Sequence, residues 1–337
     1  MPTRRVAYEA KKFASHVRVW ESAWGETCGF FTDSTALSSM QFTHYTPGHI
    51  SSQGAGSNPA TLQVLSIKLV KVAGGLQWPL FVYGMVAVRD VADHNRNILF
   101  SRGRSEALEL TQDDPFFPLI GPSRAIVFTD LVDIEIQLKV KGGGTKASQD
   151  KALINYVSNY GGAYGPGAST LSVENSFCTL ELCLQTVKRT VQATIMLVQV
   201  VKHGSWPFKY GGRVACSPLS GELMFNDSGF THIINPSSNQ IVLLDSKIEA
   251  MPECFDGYLY LSRQVVSVEI EGVLDIVIQT YSKSGDIAAH GHVRFRPNYC
   301  GISQDKFALG DAQVLVTVAW SLVATSKREI VAERSIV

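Results

Sequence analysis

Residues Thr61–Ala73, with the sequence TLQVLSIKLVKVA, decide the fold class of this chain. Their side chains alternate between two faces: one carries Leu62, Val64, Ser66 and Lys68, and the other carries Gln63, Leu65, Ile67 and Leu69. A period of two residues is typical of a β-strand, because successive side chains point to opposite sides of a sheet. The stretch therefore predicts a β-strand.

The same pattern recurs along the chain, in stretches rich in Val, Ile, Tyr and Thr and bounded by Gly, Pro, Asn or Asp. The longer stretches are 79–90, 131–141, 177–187, 190–202, 240–245, 258–270, 273–281 and 313–323. Shorter ones are 98–101, 125–129, 213–216, 222–225 and 288–295. Connections this short favour antiparallel pairing. We predict an all-β protein, a large antiparallel β-sandwich preceded by an N-terminal amphipathic helix.

The sequence divides into a helix and linker arm at 1–57, a β domain at 58–327 and a C-terminal tail at 328–337. The arm is predicted from residues 31–60, which are rich in Ser, Thr, Gly and Pro. Glycines open and close the segment 141–168, and 149–157 between them reads as a short helix. This segment is either an internal seam between two β subdomains or an excursion between sheets, and we favour one continuous β domain.

An apolar stripe marks residues 3–20 as helical, with spacings of four, three, four and three residues. It consists of Val6, Ala10, Phe13, Val17 and Trp20. Basic residues lie between them, and Glu9 is the single acid in the first twenty residues. Three interpretations follow: a helix docked on its own domain, a mitochondrial presequence, or a helix offered to a partner. In the last case the candidate contact residues are Val6, Phe13, Val17 and Trp20.

A second candidate site is the unusually polar connection between two predicted strands. Its residues are Arg89, Asp90, Asp93, His94, Asn95, Arg96 and Asn97. It is either a salt-bridged loop that closes one end of the sandwich or an interaction surface. In this loop we expect Asp90 to act as a cap and Arg89 to pair with Asp93.

Composition excludes several classes of partner. The 337 residues contain 30 Lys and Arg against 30 Asp and Glu, so the net charge of zero gives no attraction to nucleic acid or to an anionic membrane surface. No apolar run reaches the ~18 residues of a membrane-spanning helix. The beginning of the chain lacks the apolar region of a secretory signal. The six cysteines are therefore expected to be reduced and mostly buried, in a cytoplasmic protein, with mitochondria as the alternative.

No motif in the sequence indicates catalysis, and we predict no catalytic residue, cofactor or metal. Gly142-Gly143-Gly144 lacks the lysine and the helix of a phosphate loop. His290 and His292 lie on one face of a strand, where they could chelate zinc with a third ligand or could simply be surface residues. Exposed edge strands make a homodimer plausible in so large a β protein.

Several strings, in order over about residues 40–325, resemble a grass-specific plant family of unknown function. Among them are 41–48 (QFTHYTPG), 77–84 (QWPLFVYG), 93–98 (DHNRNI) and 261–268 (LSRQVVSV). The resemblance implies that members occur alone or fused to jasmonate-induced ribosome-inactivating domains, which are rRNA N-glycosidases. Those enzymes need a Glu-Ala-x-x-Arg helix, but the nearest string here, 106–109, has Glu109 in place of the arginine.

We therefore expect a non-enzymatic intracellular protein that acts by binding another protein, connected with plant defence, stress or reproductive regulation. The alternative is an rRNA N-glycosidase-like toxin or an accessory module of a ribosome-inactivating protein.

Overall fold

The structure is a computed structural model that describes residues 2–35, 57–144, 147–162, 167–202, 204–219, 240–247 and 249–325. Most of the predicted linker arm, the strand expected at 222–225 and the predicted C-terminal tail lie outside these residues. Contacts within the chain divide it into two compact units. The first consists of Met1–Ala36, Val64–Pro122 and Ile126–Thr186, and the second of Leu37–Gln63, Ser123–Ala125 and Val187–Val337.

The first unit contains the helix α1 (Pro2–Cys28) and two antiparallel sheets. Its strands are β1 (Thr61–Val72), β2 (Leu80–Arg89), β3 (Asn97–Arg102), β4 (Leu108–Leu110), β5 (Ile126–Val127), β6 (Val132–Val140), β7 (Lys151–Tyr160), β8 (Ala168–Glu174) and β9 (Cys178–Val187). One sheet has the order β5-β1-β9-β8 and the other β3-β2-β6-β7, with β4 also pairing with β2. Short 3-10 turns lie at Arg104–Glu106 and Ala147–Gln149.

The second unit likewise has two antiparallel sheets. Its strands are β10 (Thr190–Lys202), β11 (Gly212–Leu219), β12 (Ile241–Asp245), β13 (Val265–Glu269), β14 (Val273–Tyr281), β15 (Ile287–Phe295), β16 (Cys300–Leu309) and β17 (Ala312–Ser321). The sheet orders are β13-β10-β17-β16 and β12-β11-β14-β15. The predicted all-β fold with antiparallel sheets and an N-terminal helix is confirmed. The boundaries predicted at 57 and 327 stay predictions.

The short helix expected at 149–157 is wrong, because this stretch is mostly strand β7. Its buried residues are Leu153, Ile154 and Val157, a spacing that imitates a helix. A β-bulge explains the spacing: Leu138 pairs with Ile154 and Lys139 with Ala152, which leaves Leu153 as an extra residue. The extra residue shifts the alternation by one position, so two consecutive side chains are buried.

β2 and β6 approach each other closely at Gly84. This glycine has a φ of 128° and pairs with Leu138. A Cβ atom built on Gly84 would lie 2.1 Å from the carbonyl oxygen of Gln137. Because the obstacle is backbone, only glycine fits here.

α1 is eight residues longer at its C-terminal end than the predicted 3–20. It ends at Cys28, and the next residue, Gly29, has a φ of 92° that suits a position after the last helical turn. The N–H of Gly29 donates to the carbonyl of Gly25 at 3.2 Å. The Asp33 carboxylate accepts a hydrogen bond from the backbone N–H of Phe30 at 2.9 Å. The chain therefore turns sharply after α1 and runs back along the first unit.

All six cysteines are free thiols, as expected. Cys178 and Cys216 are buried, and burial raises the pKa of each to about 12. The expectation that most are buried is wrong, because the other four are only partly covered. No helix among the described residues is long and apolar enough to cross a membrane.

Candidate interaction site

The connection from β2 to β3 is a buried polar loop. Asp93 and Arg96 are buried, and His94 is half-buried. Asp90 fixes the turn as expected: its Oδ1 accepts from the N–H of Ala92 at 3.1 Å, and its Oδ2 accepts from the N–H of Val127 at 2.8 Å. Such side-chain-to-backbone bonds stabilise a turn where the backbone makes no ladder. The remaining predicted loop residues, Arg89, Asn95 and Asn97, are buried as well.

A single carboxylate, that of Glu135 on β6, binds both arginines of the loop. Arg89 Nε donates to Glu135 Oε1, and Arg96 Nε donates to Glu135 Oε2 at 2.9 Å. The expected pairing of Arg89 with Asp93 is wrong, because the ion-pair partner of Arg89 is Glu135. Arg89 lies on β2 directly beside β6, whereas Asp93 accepts from the N–H of Asn95 at 3.2 Å and from the hydroxyl of Thr35 at 2.5 Å.

Burial acts on the pKa of three charged groups at this site, Glu135, Arg89 and Asp133. Burial by itself raises the pKa of Glu135, but His16 and the two guanidinium groups outweigh it, so this pKa lies below its ordinary value. Burial lowers the pKa of Arg89 and raises that of Asp133. Each arginine then serves to hold Glu135 ionised, because an unpaired buried charge is costly.

Aromatic rings cover the two guanidinium groups. The Arg89 guanidinium carbon lies 4.6 Å from the ring centroid of Trp20 and 4.2 Å from that of Phe31, and the Arg96 carbon lies 4.7 Å from Phe31. The two rings meet edge to face at 5.5 Å. These distances suit cation–π attraction, which is stronger where water is excluded. Arg89 also donates to the carbonyl oxygen of Phe31 at 2.5 Å.

α1 supplies this cover with its predicted apolar stripe. Phe13 and Trp20 are buried, and Val6 and Val17 are half-buried. Phe13 and Trp20 form a cluster with Phe31 and with Val157 of β7, against which Val17 also packs. In the structure, α1 is thus docked on its own unit, which is the first of the three interpretations of the sequence.

Loop and helix therefore meet in one place, although the sequence presents them as two separate candidates. Trp20 Nε1 donates to the carbonyl oxygen of His94 at 3.0 Å, and the ring of Trp24 stacks on that of His94 at 3.6 Å with an angle of 14°. His16 Nε2 lies 3.7 Å from Glu135 Oε1, a distance too long for a hydrogen bond.

Five residues of this site were not predicted from the sequence: His16, Trp24, Phe31, Asp133 and Glu135. For Trp24 a signal was available, because it continues the stripe four residues after Trp20. For Glu135 there was none, because its arginine partners lie 46 and 39 positions away.

The opposite face of α1 points away from the unit. With a turn of about 100° per residue, one line of six residues lies diametrically opposite the buried stripe, and all six are exposed. We call it the outward row: Arg4, Tyr8, Lys11, Ser15, Arg18 and Ser22. The row contains three bases and no acid.

Two acids of α1 bear on the charge of this row: Glu21, next to Ser22, is exposed, whereas Glu9 is turned inward. Glu9 Oε2 accepts from the backbone N–H of Asn155 and from Asn175 Nδ2, each at 3.3 Å. Two further bases lie at the margin of the helix, where Arg5 donates to the carbonyl oxygen of Glu174 at 2.9 Å and Lys12 lies 6.0 Å from the ring of Tyr156. The positive charge of the outward row is therefore not balanced by Glu9.

The structure offers little for metal or cofactor binding. No group of three potential metal ligands occurs in the described part of the chain. His290 and His292 are exposed on β15, opposite Gln279 and Val277, so neither finds a third ligand there. Glu106 ends a 3-10 turn and Glu109 lies on β4, so the string 106–109 forms no helix.

Comparison with known proteins identifies the family of this chain. A family model described as a domain of unknown function, DUF6598, matches residues 61–318. No curated protein matches the chain. Among solved structures, the chain is similar to human GIVD cytosolic phospholipase A2, with 8% identity, a TM-score of 0.24 and coverage of 79% of this chain but 33% of that one. It is also similar to a two-domain structure of Extended-Synaptotagmin 2, with 9% identity, a TM-score of 0.24 and coverage of 82% of this chain and 96% of that one. TM-scores of this size do not establish a shared fold.

Proposed function

The chain belongs to the DUF6598 family, to which no function is assigned, and from that premise we propose that it is a non-enzymatic protein that binds an acidic protein partner. Binding takes place through the outward row of α1. The observation that carries this proposal is the charge of the row, in which Arg4, Lys11 and Arg18 are exposed, while Glu9, the single acid in the first twenty residues, faces inward. Complementary charge speeds encounter and selects among partners.

The packing of α1 supports this role. Trp20 is 4% exposed, and its indole is bound to the His94 carbonyl. The helix is therefore held in place before any partner arrives. A pre-ordered surface binds without the entropic cost of ordering a helix, which favours affinity. The buried loop 89–97 supports the helix from below, and we assign to it no direct contact with the partner.

Charge reversal on the outward row tests the proposal. The full chain and two triple variants are used as bait in an extract of the source organism, and captured proteins are then purified and measured singly. The test variant carries Arg4→Glu, Lys11→Glu and Arg18→Glu. The control carries the same change of charge on exposed residues of the second unit: Lys209→Glu, Arg296→Glu and Lys306→Glu.

We expect an acidic protein that binds the unchanged chain and the control alike and that loses at least about tenfold in affinity with the test variant. The affinity should also fall as salt is raised, because exposed charges are screened. A partner that binds all three baits equally would contradict the proposal.

The cellular setting belongs to the same proposal. The family resemblance supports a cytoplasmic role in plant defence, stress or reproductive regulation. Sequencing the N-terminus of the protein recovered from tissue separates this from the mitochondrial alternative, in which residues 1–20 would be cleaved. No feature of residues 106–109 favours the alternative rRNA N-glycosidase.

A further inference from the structure

The spacing of the outward row carries information beyond its charge. Its members follow one another at intervals of four, three, four, three and four residues. Its bases, Arg4, Lys11 and Arg18, repeat every seven residues, or 3.5 residues per turn, which is the period with which two helices keep a common line of contact. The row extends over residues 4–22, or about 27 Å of helix.

The bases repeat within this row at a fixed distance. Arg4, Lys11 and Arg18 are seven residues apart, and at a rise of about 1.5 Å per residue their Cα atoms are separated by about 10.5 Å. A partner helix with acids seven residues apart repeats at the same distance along the whole row. An extended strand rises about 3.3 Å per residue, so its side chains on one face repeat at about 6.6 Å and soon lose alignment with the bases.

Steric room along the row agrees with this spacing. Ser15 lies between Lys11 and Arg18, and Ser22 lies four residues after Arg18. The short side chains of these two serines let a second helix approach closely. Tyr8 is 66% exposed and offers an apolar ring near the beginning of the row. Two helices that cross at a shallow angle of about 20° stay in contact over several turns.

We infer that the partner binds the outward row with an acidic amphipathic helix that lies along α1 and carries carboxylates seven residues apart. This inference rests on the proposed function and names the binding element of the partner. Each carboxylate faces one of Arg4, Lys11 and Arg18, and small or apolar side chains of the partner pack on Tyr8 and Ser15.

Three synthetic peptides of about 20 residues, long enough for a stable helix when Ala-rich, test the inference against the full chain. The aligned peptide is helical and carries three glutamates at seven-residue intervals. The dispersed peptide has the same composition and helicity, but its glutamates lie on three different faces. The broken peptide keeps the seven-residue intervals and has central prolines that prevent a helix. Affinities are measured by fluorescence anisotropy.

We expect the aligned peptide to bind at least about tenfold more tightly than either control peptide, and to lose this advantage with the Arg4→Glu, Lys11→Glu, Arg18→Glu variant. Circular dichroism with temperature verifies that this variant is folded.

Equal binding of the aligned and broken peptides would overturn the helical partner and leave the proposed acidic partner standing. Equal binding of the aligned and dispersed peptides would overturn the alignment of charges. Failure of the aligned peptide to bind would also overturn the inference, and the capture experiment above then shows independently whether the row binds an acidic protein in another form.

Discussion

The indole nitrogen of Trp20 donates a hydrogen bond of 3.0 Å to the carbonyl oxygen of His94, a residue with a φ of 56°. Few non-glycine residues adopt a positive φ, and the surrounding structure must hold them there. Here hydrogen bonds from Trp20 and from Arg89 Nη1 hold the carbonyl, and the stacked ring of Trp24 holds the imidazole. α1 therefore helps to set the conformation of the loop that it covers.

Replacement of Trp20 by alanine tests how much α1 contributes to the first unit. The change removes a buried ring, its cation–π contact with Arg89 and one of two donors to the His94 carbonyl, the other being Arg89 Nη1. We expect the free energy of unfolding to fall by about 3–5 kcal/mol, measured by urea denaturation followed by circular dichroism. Val19→Ala is the matched control on the same helix, since Val19 is 65% exposed, and should change stability by no more than about 0.5 kcal/mol. A loss for Trp20→Ala as small as that of the control would show that α1 is not part of the folded unit.

Replacement of Glu135 by glutamine leaves two buried guanidinium groups without their anion. We expect a loss of about 3–5 kcal/mol in the free energy of unfolding, because breaking a buried ion pair by removing one partner strands the other charge. The control is Glu181→Gln, whose carboxylate is 30% exposed and pairs with Lys68 at 3.2 Å. The control should cost about 1 kcal/mol or less. Similar losses for the two variants would mean that the buried network contributes no more stability than the exposed pair of Lys68 and Glu181.

The effect of Glu135→Gln should depend on pH. The pKa of Glu135 in the folded protein lies below its ordinary value of 4.5, so the ion pair stabilises the fold fully above that pH. This stabilisation is lost as the pH falls through the lower, folded pKa. The difference between the unchanged protein and the variant should therefore narrow below about pH 4.5 in urea denaturation series.

In the same pH series, protonation of Asp133 should change the stability of the folded protein in the opposite direction to protonation of Glu135. Burial raises its pKa, so its protonation stabilises the folded state as the pH falls.

A difference in the free energy of unfolding between the unchanged protein and Glu135→Gln that stays constant down to strong acid would contradict the assignment of the ionised state to Glu135.

Gly84 offers a test of the close contact between β2 and β6. Alanine at this position would combine a positive φ with a Cβ atom that collides with the Gln137 carbonyl. We expect Gly84→Ala to lower the free energy of unfolding by about 3 kcal/mol or more. Gly143→Ala is the control, because its Cβ would meet nothing within 4 Å, and a change within about 0.5 kcal/mol is expected. Equal stability of the two variants would show that the strands can move apart at no cost.

The sequence predicts most strands well, inside the sheets and also at some edges, where β12 and β15 agree with the prediction to within one residue. β10 and β14 begin and end where the alternation of apolar residues does, because each is a central strand of its sheet. β8 and β16 lie at sheet edges, and most of their side chains are at least half-exposed, as the sequence ASTLSVE of β8 suggests. With little apolar surface to bury, such strands carry no strong pattern, and the sequence analysis missed both.

The candidate site likewise has features that can be predicted from the sequence and features that cannot. The stripe that includes Phe13 and Trp20 was readable because a helix repeats locally. The position of Glu135 in a strand was readable too, but its burial was not, because that depends on Arg89 and Arg96, which reach it only after the chain has folded. The pairing of Arg89 with a nearby aspartate failed for the same reason: proximity along the chain was a poor guide to proximity in space.

The two sides of α1 have different consequences for how the protein can change over generations. Phe13, Val17 and Trp20 of the stripe are constrained together, because they pack in one cluster and Trp20 also covers Arg89. Residues of the outward row are exposed, so substitutions there should change the stability of the fold little. Descendants of this chain could therefore exchange one partner for another by altering a few codons for residues 4–22, while the β-sheets below remained as they are.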